Sequence, residues 1–538
     1  MRSPSPAAQR RLLIAVVVLA VLQGGALASV ETDDAYTVLR YAKNLVDHGE
    51  LTYNLGERIC ALTSPLHALL VAALYRLTGG LILVNKALGL ACTLAAALAL
   101  ALPLRRQPVA LLVALALFAA SPFVLFWTFG GLETPLLAAL LTALAAFAVA
   151  DLRVPPDHPG RAAIPFALGG LAIATRLDAS TFVVPLLLGL ALRQRSGPAP
   201  WRRLPLALVA AAAPPLAWLA FADRYYGHLL PTSFYVKTPR LEPLWVLANT
   251  THMMELVLVS GLAFVYGAAF VLAAARPSAR AAWRDHFRER AWLYAGLVGA
   301  VAYGLVAATT HLFYAFRLFV PILGPAALLA ADLVARIIDA DAPAPAPAPA
   351  SEFAPGPASR VFCSLAAVVL ALQLLSFIHI LPPGGNLEGA RSGEMRVLGV
   401  ADANQWARRF AEPADTIRRH WQAQPASARR PARIHTFAVG ALAFALPEAL
   451  VYEEHVRYRH ACRPSLGELA AASDYVCVLS PALEEPELGL DRMTLLFEAE
   501  GWLAGSPRHY RVYFNPHPGP PILPPRIDGA CEVTAPAP

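Results

Sequence analysis

Just past Val30 the chain turns from apolar text to ETDDAYTVLRYAKNL. This places Glu31, Asp33, Asp34, Tyr36, Arg40 and Asn44 in one short stretch, with Glu57 further on. Polar groups also interrupt the apolar runs at Glu133, at Arg176-Leu177-Asp178, from Tyr225 to His228, at Lys237, and at His311, Tyr314 and Arg317. Adjacent acids raise each other's pKa and burial raises both further, so Asp33 and Asp34 are candidate catalytic carboxylates. Cations at membrane-interface depth suit an anionic head group, most simply a lipid phosphate. Tyrosine and tryptophan suit sugar rings and the bilayer interface. Together these groups fit attack by an acceptor hydroxyl on a sugar carried by a lipid phosphate. One carboxylate takes the hydroxyl proton, and the cations stabilise charge on the departing phosphate.

Each residue also has a plainer use. Either aspartate can cap a helix starting near Ala35; we take Asp33 as the base and Asp34 as its partner or cap. Arg40 falls on the helix face of Asp33 and can pair with it, while Tyr36 and Asn44 can simply pack. Arg176 has Asp178 beside it as a neutralising partner. Lys237 and Arg317 can anchor at an interface by snorkelling, and His67 and His311 read first as structural. The chain has no zinc motif, phosphate-cradling glycine loop or serine elbow. A divalent cation on the paired acids and Glu133 ranks below a metal-free site, and no other cofactor is required.

The elements that must position these groups are membrane helices. The chain has 538 residues, 57% hydrophobic and 15% charged, with a net charge of +7 and a mean hydropathy of +0.51. That excludes a disordered chain, a nucleic-acid binder and an ordinary water-soluble enzyme. The run from Leu12 to Val30 follows Arg10-Arg11. It is of span length rather than signal-core length, so it reads as an uncleaved first helix despite the cleavage-like Ala26-Leu27-Ala28. Leu66 to Leu77 is short for a span and suits an interfacial or re-entrant helix. Further spans are predicted at 81–104, 108–126, 132–150, 162–176, 180–193, 203–222, 254–275, 292–309, 318–338 and 361–381, about eleven in all. Arginines then gather in the inside loops, at 153–161, 193–203 and 276–290. This topology puts the candidate site residues on the outer side. The division is a membrane core over 1–340 including the outer loop 31–65, a Pro-rich inside connector over 341–360, a last span over 361–381, and an outer α/β domain over 382–538.

In that tail, Arg396 to Phe410 has helical amphipathicity, and Tyr475–Leu479 and Tyr510–Phe514 read as strands. Phe437 to Leu446 is apolar but too short to span, and reads as a core strand and turn. Cys462, Cys477 and Cys531 lie in the tail and Cys60 in the first outer loop; a bridge among them suits an oxidising compartment, with no pair specified.

The run DDAYTVLRYAKNLVDHGELTYNLGERICALTSPLHALL resembles the first outer loop of AftB-like arabinofuranosyltransferases. These belong to the GT-C class of polyprenyl-phosphate-dependent membrane glycosyltransferases. GLETPL at 131–136, TRLD at 175–178, YYGHLLPTSFYVKT at 225–238, YAFRLFVPIL at 314–323 and TFAVGALAFAL at 436–446 follow in the family's order. The pattern departs at Leu177, at Cys60-Ala61-Leu62 and at Thr232-Ser233. The resemblance implies that Asp33 or Asp34 is the catalytic carboxylate, that Arg176, Lys237 and Arg317 hold the donor phosphate, and that Glu133 and His228 line the sugar site. Tyr36, Arg40, Asn44, Glu57, Asp178 and His311 complete the expected substrate-binding set. The expected protein is a multi-pass enzyme of the bacterial inner membrane with its site and tail domain facing the periplasm. It would move a sugar, arabinofuranose first among candidates, from a polyprenyl phosphate to a glycan or protein acceptor. A lipid-sugar flippase predicts polar groups through mid-membrane, and an O-antigen-type ligase or polymerase predicts arginine and histidine in one large late loop. This chain has neither pattern.

Overall fold

Each apolar run becomes helix in the computed structural model, which describes residues 6–150, 159–195, 200–236, 243–307, 314–341, 356–380, 410–425, 430–436, 440–453, 465–480, 488–503 and 506–522. The helices are α1 (Pro6–Leu27), α2 (Asp33–His48), α3 (Pro65–Thr78), α4 (Leu81–Leu104), α5 (Pro108–Phe118), α6 (Pro122–Phe129), α7 (Thr134–Val149), α8 (Pro159–Thr175) and α9 (Ser180–Arg195). There follow α10 (Pro200–Tyr226), α11 (Thr232–Val236), α12 (Pro243–Val259), α13 (Leu262–Ala275), α14 (Pro277–Glu289), α15 (Ala291–Ala307), α16 (Val320–Ala340) and α17 (Pro357–Ile380). Among the described residues, five helices are long and apolar enough to cross a membrane, or up to seven if two bent pairs each count as one span. α16 is the central post: 78% of its apolar window is buried, against 17% in α10, which faces outward.

Two runs expected as single spans are broken. α5 and α6 bend by 58° where Ser121-Pro122 interrupts the ladder, and α12 and α13 bend by 70° at Ser260-Gly261. The outer helix α2 begins at Asp33, with both acids in its first turn, where the helix dipole favours them. At the far end of the bundle from α2, Asp332 of α16 accepts from Arg290 Nε at 3.1 Å and Arg336 Nε at 3.0 Å, with His286 Nδ1 at 3.0 Å. These bonds bind the amphipathic α14 across that end.

The tail is an α/β unit. Its five-stranded sheet runs β2 (Leu450–Tyr452), β1 (Arg433–Thr436), β3 (Tyr475–Ser480), β5 (Ser506–Phe514), β4 (Thr494–Leu503). β1 is parallel to β2 and β3, and β5 is antiparallel to β3 and β4. The segments Tyr475–Leu479 and Tyr510–Phe514 are strands as expected. The apolar run expected as strand and turn is instead a short helix, α19 (Ala441–Ala445), within its described part. Its ALAFA text is rich in the best helix former, and its first amides find an acceptor on α2. With α18 (Ala411–Ala423) it covers one sheet face, and α20 (Leu466–Ala471) packs on the other. The first of these cores is not confined to the tail: Tyr36, Leu39 and Ala42 of α2 and Val71 of α3 pack in one cluster with Ile417, Ile434, Leu442 and Tyr510. Cys60 and Cys477 are buried free thiols. Cys462, Cys531, the Pro-rich connector text 342–350 and the amphipathic text 396–409 lie outside the described residues.

Candidate active site

The first outer helix is stitched to the turn that starts α7. Thr32 donates through its N–H (3.2 Å) and its hydroxyl (2.9 Å) to the Gly130 carbonyl, and Asn85 Nδ2 donates to Gly131 O at 2.9 Å. Gly131 sits at φ 85°, and a Cβ there would stand 2.7 Å from that of Ala35, so this turn requires glycine. Glu133 follows as the N-cap of α7 and is 1% exposed.

Three helix ends converge on Glu133. Arg176, at the end of α8, donates to Glu133 Oε1 at 2.7 Å and clamps Asp178 with two bonds of 2.9 Å, from Nε and from NH2. Arg317, just before α16, donates to Asp34 Oδ2 at 2.6 Å and stands 3.7 Å from Glu133. The turn that aims Arg317 is strained: Ala315 and Phe316 take left-handed conformations at φ 43° and 56°. Such residues cost on the order of 1–3 kcal/mol each and persist only when the surroundings hold them. Trp127 Nε1 donates to Ala315 O at 2.8 Å, and Phe316 is wedged between Phe123 (4.6 Å) and His252 (4.3 Å).

Beside this cluster lies a partly open cavity. Glu133, Arg176, Asp178 and Arg317 form its charged end, and Leu137, Leu141, Phe182, Pro321 and Ile322 its apolar wall. Leu137 and Leu141 lie about one and two turns below Glu133 on α7, so the cavity descends from charge into hydrocarbon-like lining. Glu133 Oε2 and Arg317 Nε are buried without a hydrogen-bond partner among the described residues. Three acids, Asp34, Glu133 and Asp178, face two arginines, which leaves this part of the site one positive charge short of neutrality.

The two aspartates have separate surroundings. Asp34 is 58% exposed in its side chain and meets Arg317. Asp33 accepts from Gly440 N (3.0 Å) on one oxygen and from Ala441 N (2.8 Å) on the other. Burial pushes the Asp33 pKa up to about 6, with the Asp34 charge adding to the rise and the two amides opposing it. Arg40 does not pair with Asp33: its guanidinium donates to the carbonyls of Tyr53 (2.8 Å), Ala443 and Ala449 (2.7 Å). Tyr36 donates to Glu31 and stacks obliquely on Phe444 at 5.2 Å. Asn44 donates to Thr52 O and Tyr53 O, both at 3.0 Å, and Asn54 Nδ2 donates to Glu57 at 2.8 Å. His228 turns back on its own loop, Nδ1 to Leu230 O at 2.7 Å. Of the sequence-derived set, the structure brings together Asp34, Glu133, Arg176, Asp178 and Arg317. It sets Asp33, Tyr36 and Arg40 against the tail unit, and Asn44 and Glu57 within the outer loop. Lys237 and His311 lie outside the described residues.

Thr134 of the GLETPL motif lines the cavity too, and Thr181 and Tyr303, which also line it, were missed in the sequence. Tyr303 carried the one usable signal, a hydroxyl stranded in the apolar text of α15. Among the described residues, no group of three or more His, Cys, Asp or Glu is spaced to hold a metal ion.

No protein-family model and no curated protein sequence matches this chain. Solved structures do. ArnT from Cupriavidus metallidurans in its apo state is 15% identical with a TM-score of 0.57, covering 96% of this chain and 100% of that one. The same protein bound to undecaprenyl phosphate is 14% identical with a TM-score of 0.58, covering 95% and 100%. The chain therefore has a GT-C-type fold: a polytopic helical membrane protein with a C-terminal α/β domain.

Proposed function

We propose that this protein is a membrane glycosyltransferase that moves a sugar from a polyprenyl-phosphate donor to a hydroxyl of a glycan or protein acceptor outside a bacterial cytoplasmic membrane. The observation that carries this reading is the cavity with arginines at one end and leucine and phenylalanine down its wall, a shape for a phosphate with a lipid tail. The fold shared with ArnT, a protein solved with undecaprenyl phosphate, supports it. In this reading Arg176 and Arg317 hold the donor phosphate through the N–H groups their acid partners leave over. Lys237, the third cation expected to hold the phosphate, follows α11 directly in the chain.

Asp34 is the base, because it is open to an acceptor while both oxygens of Asp33 receive backbone amides. The acceptor O–H gives its proton to Asp34, and its oxygen forms the new bond to the anomeric carbon. The bond from that carbon to the phosphate oxygen breaks, and the electron pair leaves with polyprenyl phosphate. Glu133 holds both arginines in register and, through Oε2, offers a hydrogen-bond acceptor for a sugar hydroxyl. Arabinofuranose is the first sugar to try, on the motif resemblance of the first outer loop.

The test supplies purified protein in nanodiscs with a panel of undecaprenyl-phosphate-linked sugars, arabinofuranose included, and a mixture of envelope glycans. Release of undecaprenyl phosphate is measured for wild type and Asp34→Asn. One donor should turn over, and Asp34→Asn should slow it by about 100-fold to 10,000-fold, the range of general base catalysis. An unaffected Asp34→Asn variant removes the base assignment, and a panel with no active donor removes the proposed activity.

A further inference from the structure

The tail domain holds the outer loop by both limbs. Along α2, Asp33 and Arg40 are seven residues apart, about 10 Å on the helix axis. Between them they read the two ends of α19. Asp33 takes the amides of Gly440 and Ala441 at its start, and Arg40 donates to the carbonyls of Ala443 and Ala449 at and beyond its end. Such an arrangement of acid and cation matches the polarity of a helix. The approach leaves no slack: a Cβ on Gly440 would lie 1.7 Å from the Asp33 carbonyl oxygen. The returning limb is held too. Asn54 mimics a strand partner for β2, accepting from Val451 N and donating to Val451 O, both at 3.0 Å. Asp34 follows Asp33 directly, and its side chain reaches the other way, to Arg317.

We infer that the C-terminal domain is a positioning element for the catalytic acid. By clasping Asp33 and Arg40 through α19, it fixes the backbone from which Asp34 meets the donor site, so that transfer requires the domain to be docked. Asp33, Arg40 and Gly440 are positioning residues, acting through Asp34. This inference rests on the reading of Asp34 as the base and gives the domain a role in the chemical step.

Gly440→Ala in the full-length protein is the direct test, using the donor that turns over in the panel. Asp33, Arg40 and Gly440 are not among the residues that line the cavity, so the expected result is a kcat lowered by roughly 100-fold, the scale of a small misplacement of a catalytic group. The donor KM should stay within about threefold of wild type. Combining Gly440→Ala with Asp34→Asn should cost no more than Asp34→Asn alone, because residues acting through one another are not additive. Hydrogen exchange should rise over residues 33–44 and not over α7, while binding of undecaprenyl phosphate persists. If Gly440→Ala does not fold, Asp33→Asn carries the same measurements, since its amide turns an N–H toward a backbone donor. A clasp variant with normal kcat, a KM rise alone, or additive losses overturns the inference. If Asp34→Asn itself is active, it is the base assignment that has failed, and the exchange data still report whether the clasp orders α2.

Discussion

Replacing Arg317 by Gln removes one of the two cations in the described site. Arg317 is 12% exposed, stands 2.6 Å from Asp34 and 3.7 Å from Glu133, and keeps Nε in reserve. A unit charge about 4 Å from a phosphate oxygen is worth about 4 kcal/mol gross at an effective dielectric of 20. The net value is smaller, because Arg317 already shares its charge with two acids; a charged hydrogen bond typically leaves about 1.5–3 kcal/mol. At about 1.4 kcal/mol per tenfold, undecaprenyl phosphate should bind roughly 10 to 150 times more weakly. The fold should lose little. Glu133 keeps Arg176 at 2.7 Å, and the Asp34 end of the pair is 58% exposed, where ion pairs are worth about 1 kcal/mol or less. Equilibrium binding of radiolabelled undecaprenyl phosphate to protein in nanodiscs measures this, with thermal unfolding alongside. Arg336→Gln, the same change of charge at the opposite end of α16, is the control and should leave affinity unchanged. A dissociation constant for Arg317→Gln within about threefold of wild type, or an equal loss with Arg336→Gln, refutes the placement of the phosphate.

Asp33 has its pKa raised from 3.8 to about 6, first by burial. A raised acid stabilises the docked state below its unfolded value and loses that contribution as pH climbs through about 6. Unfolding temperature should therefore carry a component that falls between pH 4 and pH 7 and disappears in Asp33→Asn; a pH-independent difference between the two proteins contradicts it. Trp127→Phe deletes the 2.8 Å bond to Ala315 O and should cost about 1 kcal/mol of stability. It should also weaken undecaprenyl phosphate binding several-fold as Arg317 loses its aim; unchanged affinity would detach the strained turn from the site. Burial pushes the thiols of Cys60 and Cys477 up to about 12. Both should resist iodoacetamide in the native protein and react after denaturation, as peptide mass spectrometry will record; rapid native labelling of either counts against its packing.

The helices were legible because apolar runs of span length have few alternative uses. What hydropathy cannot report is a break inside an apolar run. Ser260-Gly261 and Ser121-Pro122 were present as punctuation, but their bends depend on neighbours that pack only in three dimensions. The division of roles within Asp33-Asp34 was illegible for another reason. Successive helix residues point about 100° apart, so one reaches a helix 407 residues downstream and the other an arginine 283 residues away. Arg40 shows the same limit: helical spacing paired it with Asp33, whereas three distant carbonyls compete for it and win. ALAFA was ambiguous between strand and helix until the partner for its first amides was known.

The shared core of α2 and the tail sheet bears on biogenesis. Arg40 and its carbonyl partner Ala443 are 403 residues apart. At a synthesis rate of about 5–20 residues per second, α2 emerges roughly 20–80 s before the surface it completes exists. Through that interval its stripe of Tyr36, Leu39 and Ala42 must shelter elsewhere, and the boundary between headgroups and acyl chains is the nearest apolar shelter. Cutting the chain ahead of the sheet would leave that stripe bare for good, so a truncated membrane half should aggregate rather than persist as a smaller enzyme.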